Sequence, residues 1–138
     1  MTHKRTSLRV GLTHEIEVST NDTHTAHTLG NPGVHVLATI FLVGFVEECC
    51  GWSVQSHLAK NEATVGTRVN LAHRAPALAG AELSVRSRLT QIQGNHLKFE
   101  ASVFEGKRLL MNGVHHRAII DTATLLEIAG GNPKYNSD

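Results

Sequence analysis

The chain has few of the features that mark membrane, secreted or nucleic-acid-binding proteins. Its 138 residues include one Trp, one Tyr, four Phe and three Pro, and no run of Lys or Arg is longer than two. The 13 basic and 12 acidic side chains give a net charge of +1. Binding to a phosphate backbone needs a basic stripe, which this sequence lacks. We therefore expect no nucleic-acid partner.

Long hydrophobic runs are also missing. The longest apolar stretch, residues 34–46, is interrupted by His35 and Thr39, and it is shorter than the ~20 residues that cross a bilayer. The N-terminus has no apolar core of signal-peptide length. The two cysteines, Cys49 and Cys50, are adjacent, where a bond between them would be strained, and no CxxC motif is present. These absences predict a cytoplasmic protein in a reducing setting, without a membrane segment.

Ten histidines are the compositional excess of this chain. The closest spacings are His24 with His27 and His115 with His116, and neither pair has a carboxylate or thiolate at metal-ligand spacing. We therefore expect no metal site and no cofactor. We expect most of these imidazoles to be solvated, so that mild acid raises the net charge.

The sequence pattern predicts one domain, residues 1–138, with loose termini at 1–12 and 130–138. Residues 13–18 alternate as a strand, and 19–33 form a loop without apolar periodicity. Residues 34–58 follow a helical pattern whose first half is apolar on nearly every face. A helix of this kind is typical of a core position, so the rest of the chain must enclose it.

Four further strands follow the predicted helix. Their ranges are 64–75, 81–92, 96–104 and 108–121, with a last helical turn at 122–129. Short turns around Gly94 and Gly106 predict antiparallel neighbours. In the first of these strands, we expect one face to meet the helix and to carry Val65, Thr67, Val69, Leu71 and His73.

The predicted fold is α+β, with an antiparallel five-stranded sheet wrapped around one long central helix. Such a sheet leaves one face and one edge available for dimerisation.

Three polar residues interrupt the predicted burial pattern, and they are the candidates for chemistry. Thr39 and Glu47 lie in the helix, and His73 lies on the strand face expected to meet it. Each has an ordinary alternative: Thr39 bonding its own backbone, His73 satisfied in the core, and Glu47 marking where the helix reaches water. The two helical residues are about 12 Å apart along the axis, so either an imidazole lies between them or a second subunit supplies Glu47.

The motifs resemble the fluoroacetyl-CoA thioesterase-like family of the hotdog fold, from about residue 13 to residue 120. The segment LATIFLVGFVEECC resembles the family's helix, with Thr39 at the nucleophile or polarising position and Glu47 at the carboxylate position. The segment ATVGTRVNLAHRAPALAG places Gly66 where the backbone lines the acyl carbonyl and His73 at the catalytic histidine. GVHHRAII supplies Arg117, which the resemblance assigns to substrate binding.

This resemblance implies hydrolysis of a short or modified acyl thioester of CoA or of an acyl carrier protein. It also implies a homodimer or a dimer of dimers, with the site near the subunit interface. The segment before the helix, LGNPGVHVLA, lacks the aromatic lid of fluoroacetyl-specific members, so we expect a different acyl group. Two alternatives remain open: a module that binds an acyl thioester or biosynthetic intermediate without hydrolysis, and a hydratase or dehydratase of enoyl thioesters.

Overall fold

The alternating segments of the sequence fold as strands of one antiparallel sheet. A computed structural model describes residues 3–131. Its main elements are β1 (Thr13–Ser19), α1 (Thr39–Gln55), β2 (Glu62–His73), β3 (Glu82–Gln93), β4 (His96–Glu105), β5 (Arg108–Asp121) and α2 (Thr122–Ala129). The strand order in the sheet is β1-β3-β4-β5-β2. The predicted fold, a five-stranded sheet around one long helix, is confirmed.

Period-two burial explains why the central strands form. In β3, Leu83, Val85 and Leu89 are fully buried, whereas Arg86 and Arg88 between them are exposed. Only a strand places alternate residues on opposite faces, so this pattern buries one face and solvates the other. The inner face packs against α1, and it forms the core with β4 and β5.

The helix is shorter than its sequence pattern predicts. It begins at Thr39 rather than at residue 34 and ends at Gln55 rather than at residue 58. The preceding backbone is extended because it bonds elsewhere: Leu37 N donates to Ala77 O at 2.8 Å, and Ala26 N donates to Val36 O at 2.9 Å. These bonds compete with a helical turn, and Ala38 becomes the extended N-cap residue.

Two segments expected to be irregular contain ordered turns. The predicted loop 19–33 includes the 3-10 helices Asp22–His24 and Ala26–Leu29. The N-terminal segment, expected to be loose, contains another 3-10 helix, His3–Ser7, in which Arg5 forms an ion pair with Glu62. At the other end, residues 132–138 of the predicted loose tail lie outside the described residues.

The sheet covers α1 on one side only. Leu42, Val46 and Val54 are fully buried against it, whereas Ile40 and Trp52 are 63% and 62% exposed. The expectation that the chain encloses its own apolar helix is therefore wrong for the opposite side. Among the described residues, no helix is long and apolar enough to cross a membrane.

A bulge in β2 changes which of its residues face the helix. Gly66 pairs with Arg117 and Arg68 pairs with His116, so Thr67 is an extra residue without a partner in β5. The prediction that Val65 shares a face with His73 is therefore wrong, and Thr67 is the bulge residue itself. The residues on the helix side are Thr64 and Gly66 before the bulge, and Val69, Leu71 and His73 after it.

One face of the sheet carries ion pairs, and β2 forms one of its two edges, with β1 at the other. On the outer face, Arg86 pairs with Glu15 and Arg88 with Glu100. A depression of about 790 Å³ lies there, and its walls include these ion-paired side chains. At the open edge, β2 is exposed from Gly66 to Asn70, and Val69 is 46% exposed although it lies on the inner face.

We predict that both cysteines are unreactive in the native protein. Burial raises the pKa of Cys49 above its ordinary value, and burial raises the pKa of Cys50 to about 12. Since the thiolate is the nucleophile, a thiol reagent at pH about 8 should modify the native chain only as it unfolds. Reaction with an aromatic disulfide reagent, followed by absorbance, should yield both free thiols in urea and a small fraction without it. Rapid native labelling of either thiol would contradict the prediction.

Candidate active site

Thr39 and His73 meet where α1 begins and β2 ends. The Thr39 Oγ1 and His73 Nδ1 atoms lie 2.8 Å apart, within hydrogen-bond distance. Thr39 follows the extended segment that bonds to Ala77, and the residue after His73, Arg74, donates its N–H to Leu110 O. These bonds fix the backbone beside both side chains. The predicted contact between hydroxyl and imidazole is confirmed.

The second ring nitrogen of His73 has no partner in the described part of the chain. Its Nε2 atom is buried and makes no hydrogen bond within residues 3–131. Leaving a buried polar atom unpaired costs about 1–3 kcal/mol, so such an atom in a folded protein calls for a ligand, a water molecule or another chain.

A cavity of about 410 Å³ lies beside this pair. Thr39, His73 and the amide side chain of Asn31 are its polar walls. The other walls are aliphatic and consist of Ala26, Leu29, Val36, Leu37, Ala38 and Ile40. None of these walls is aromatic or carries a carboxylate, Lys or Arg side chain. The cavity can therefore accept a compact uncharged group next to the imidazole.

Glu47 lies against Gly66 rather than against His73. A methyl group at Gly66 would overlap the Glu47 Oε1 atom and would lie 3.1 Å from His115 Cε1. A side chain at residue 66 would therefore displace the Glu47 carboxylate from this position. Glu47 also lines a second cavity, of about 490 Å³, together with Gly44, Glu48, Gly51, Trp52, Gln55 and Arg117.

Arg117 is buried beside this carboxylate and is held by the protein. Its Nε donates to Thr64 Oγ1 and its Nη2 donates to Thr64 O, both at 2.9 Å. Its Nη1 lies 3.2 Å from His115 Nε2 and donates to Glu47 O at 3.5 Å. Arg117 thus joins β2, β5 and the middle of α1, and its predicted role in substrate binding stays a prediction.

The buried His115 was missed as a site residue by the sequence reasoning. Alternate residues of β5 face the helix. The buried residues on this inner face include Met111, His115, Arg117 and Ile119. Two adjacent polar positions on the buried face of a strand are the signal that could have identified it. The pair His115–His116 was instead considered for metal binding.

Burial lowers the pKa of His115, and the positive charge of Arg117 lowers it further, against the opposing effects of the Arg68 carbonyl and Glu47. The pKa of Arg117 is also lowered by burial, although Glu47 raises it. No cluster of three metal-ligating side chains exists in the described part of the chain.

One chain therefore contains two separate groups. Thr39 and His73 border one cavity, whereas Glu47 and Arg117 border another, and Gly66 lies against the Glu47 carboxylate. About two turns of helix separate Thr39 from Glu47, and no hydrogen bond joins Glu47 to His73. The sequence reasoning allowed either an imidazole between them or a second subunit. In this structure the His73 imidazole contacts Thr39 and makes no hydrogen bond to Glu47.

The five-stranded antiparallel sheet and its long helix define a class, the proteins of the hotdog fold. A hot-dog-like protein from Thermanaerovibrio acidaminovorans superposes with a TM-score of 0.83 at 14% identity, over 95% of this chain and 96% of that chain. A thioesterase superfamily member from Thermus thermophilus gives 0.82 at 22% identity, over 91% and 93%. At these identities the similarity concerns the fold alone.

Sequence similarity identifies the family. The fluoroacetyl-CoA-specific thioesterase family matches residues 18–123, which is most of the chain. The chain therefore belongs to this family, and the resemblance noted from its motifs is confirmed. A structure of a fluoroacetyl-CoA-specific thioesterase variant in complex with fluoroacetate and CoA has a TM-score of 0.80 at 26% identity, over 86% of this chain and 99% of that chain.

A curated relative is the fluoroacetyl-CoA thioesterase of Streptantibioticus cattleyicolor. It is 31% identical over 85 residues, which are 62% of this chain and 61% of the relative. The match thus spans about three fifths of that protein's length.

We predict that His115 makes the fold sensitive to mild acid. Its folded pKa lies below the unfolded value of about 6.5, so its neutral form contributes full stability above that pH and loses it as the pH falls toward the folded pKa. The free energy of unfolding from urea titrations should therefore decline between pH about 7.5 and 5.5, and less steeply in His115→Gln. The three carboxylates with lowered pKa values, Glu15, Glu62 and Asp121, affect stability only at lower pH.

The matched control is His116→Gln. This neighbouring imidazole also has a pKa lowered by burial, but it is only half-buried on the other face of β5. The substitution at residue 116 should change the pH slope less than the one at residue 115. Equal slopes in the wild type and His115→Gln would contradict the prediction.

Proposed function

We propose that this protein is an acyl thioester hydrolase acting on a short or modified acyl group carried by CoA or by an acyl carrier protein. The observation that carries the proposal is the Thr39–His73 pair, whose buried Nε2 atom has no partner in the described chain. A hydroxyl, an imidazole and a carboxylate have the acid–base and nucleophilic capability that this reaction needs. Family membership supports the same reaction.

The proposed chemistry assigns a role to each residue. The backbone amide near Gly66 polarises the thioester carbonyl, because a fixed donor stabilises the oxyanion of the tetrahedral intermediate. His73 accepts the proton of the attacking group and returns it to the departing thiolate, and Glu47 stabilises the charged imidazole. The attacking group is water, or first the Thr39 hydroxyl, and in both cases His73 takes its proton. If the Glu47 carboxylate attacks first, it has no proton to give: an acyl anhydride forms as the C–S bond breaks, and the thiolate leaves as the anion. His73 then takes the proton of the water that hydrolyses the anhydride. Arg117 supplies a positive charge beside Glu47, toward the substrate.

The aliphatic cavity beside His73 supports a compact acyl group. Its walls carry no aromatic side chain, and the segment before α1 has none either. An apolar pocket of this kind discriminates by size and by the absence of charge. We therefore propose a short aliphatic acyl group rather than fluoroacetyl.

We propose that two copies of the chain complete each site. In a single copy, Glu47 and His73 border different cavities, the β2 edge is open, and Ile40 and Trp52 on α1 are exposed. The outer face is occupied by ion pairs, so the apolar helix side and the β2 edge are the better surface for a second copy. Pairing there would supply Glu47 of one copy to His73 of the other.

The buried free thiols support a cytoplasmic location. Both cysteines are reduced and buried, and unpaired thiols are typical of reducing compartments. We therefore propose that the protein is located in the cytoplasm.

Hydrolysis is tested with a panel of acyl-CoA and acyl carrier-protein thioesters, with free thiol measured as product. Short aliphatic acyl-CoA should be hydrolysed, and His73→Ala should reduce kcat/KM by about 10²–10⁴-fold, since it removes the general base. The matched control, His96→Ala, removes an exposed imidazole at the start of β4 and should leave the rate unchanged.

Two outcomes would overturn the proposal of hydrolysis. A rise in melting temperature with acyl-CoA, but no thiol release, would indicate a binding module. A loss of enoyl absorbance without thiol release would indicate hydration.

Shared sites are tested by mixing two inactive variants, His73→Ala and Glu47→Gln. If Glu47 acts on the other copy, each mixed dimer regains one intact site, so statistical exchange restores about a quarter of the wild-type rate. If both residues act within one copy, every site carries a defect and the mixture stays inactive. Gel filtration with light scattering establishes that the mixture is dimeric, and a monomer with full activity would overturn the proposal.

A further inference from the structure

His115 is the most deeply buried polar side chain near Glu47, and both its ring nitrogens are engaged. The imidazole is 0% exposed. Its Nδ1 lies 3.0 Å from Arg68 O, and its Nε2 lies 3.2 Å from Arg117 Nη1. The mechanism proposed above does not use this residue.

The two partners fix one form of the ring. An arginine guanidinium only donates, so His115 Nε2 accepts the bond from Arg117. A backbone carbonyl only accepts, so Nδ1 carries the hydrogen and donates to Arg68 O. The ring is therefore neutral and protonated at Nδ1. The charged and titratable groups around it are Arg117 and His116 from β5 and Glu47 from α1, while β2 contributes the Arg68 carbonyl.

The Arg68 carbonyl places His115 at the β2 bulge. Arg68 follows the unpaired Thr67, which follows Gly66, so the bond from Nδ1 restrains the backbone directly after Gly66. The ring also lies close to Gly66 itself, since a methyl group there would be 3.1 Å from His115 Cε1. The imidazole thus fixes the strand segment whose amide is proposed to polarise the thioester.

The Arg117 bond links His115 to the helix. Arg117 donates to the Glu47 carbonyl, and its other contacts hold Thr64. Without an acceptor at the position of Nε2, one guanidinium donor is left unpaired in a buried site, which favours a shift of the side chain. The 3.5 Å bond from Arg117 to the Glu47 carbonyl, which ties this strand residue to the middle of α1, would be disturbed at the same time.

We propose that His115 is a positioning residue that holds Gly66 and Glu47 in register with each other. It acts as a neutral Nδ1–H imidazole between the Arg68 carbonyl and the Arg117 guanidinium. This inference rests on the proposed hydrolysis. His115 contacts neither the substrate nor the reacting atoms. This one side chain supports both the Glu47 carboxylate and the backbone amide that is proposed to stabilise the oxyanion.

Two variants separate positioning from general stability. His115→Leu fills the space but removes both bonds, and His115→Gln keeps an oxygen acceptor near the position of Nε2. Under conditions where each variant is fully folded by circular dichroism, His115→Leu should lower kcat about 10-fold or more, because the reacting groups lose alignment. The accompanying rise in KM, from the displaced Arg117, should be smaller than the fall in kcat. His115→Gln should recover kcat to within about threefold of the wild type.

The tautomer is tested without activity. Long-range proton–nitrogen NMR of protein labelled with ¹⁵N-histidine should assign Nδ1–H and an unprotonated Nε2 to His115, unchanged from pH about 8 to 6. The signal is assigned by its loss in His115→Gln. An Nε2–H tautomer would overturn the inference.

The kinetic outcomes are distinct from failure of the proposed function. No turnover in the wild type would overturn both proposals. Turnover in the wild type with an unchanged kcat in His115→Leu, or equal losses in the Leu and Gln variants, would overturn this inference alone.

Discussion

The bulge at Thr67 is the constraint on which the arrangement of the site depends. Gly66 and His73 are seven positions apart, and in a regular strand residues at an odd separation point to opposite faces. The unpaired Thr67 between them shifts the alternation by one residue, so that Gly66 and His73 both face α1. Without the bulge, either the glycine that makes room for Glu47 or the imidazole that contacts Thr39 would face away from the helix. The bulge lies on an edge strand, where an extra residue disturbs a single neighbouring strand, and the Arg68 carbonyl that follows it is bonded by His115.

A polar cluster in the interior supports this irregular segment. Burying Arg117 and His115 carries a desolvation cost, visible in the lowered pKa values of both groups. The cost is offset because their donors and acceptors are matched: the guanidinium reaches Thr64, His115 and the Glu47 carbonyl. Such a network has few alternative arrangements, in contrast to the aliphatic packing around Leu42 and Val46. It is therefore suited to fixing a carboxylate that must lie at a set distance from a backbone amide.

The sequence predicted the fold better than it predicted the site. Alternation in β3 and β4 and the turns at Gly94 and Gly106 identify a sheet, since each strand is read from local periodicity alone. The start of α1 was placed too early because residues 34–38 are apolar enough to continue the helix, and the bonds that extend them come from Ala77 and the 3-10 segment. The bulge was missed because an extra residue leaves no mark in composition. The structure brings Thr39 and His73 together. The distance between His73 and Glu47 depends on how β2 crosses α1, which local periodicity does not determine.

The separation of the two polar groups has a consequence for assembly. In each copy, the Thr39–His73 pair lies at the start of α1, and Glu47 lies a little over two helical turns later. The side of α1 that carries Ile40 and Trp52 is not covered by the sheet of the same copy. An apolar helix that is half covered, an open strand edge and an unpaired buried nitrogen are all costs of the isolated chain. A second copy placed by a two-fold axis would reduce the three costs together, because any contact that covers one copy covers the other. In the proposed enzyme, association would therefore align the carboxylate with the imidazole through the same contacts that bury the helix, so that the active arrangement and the stable dimer would form together.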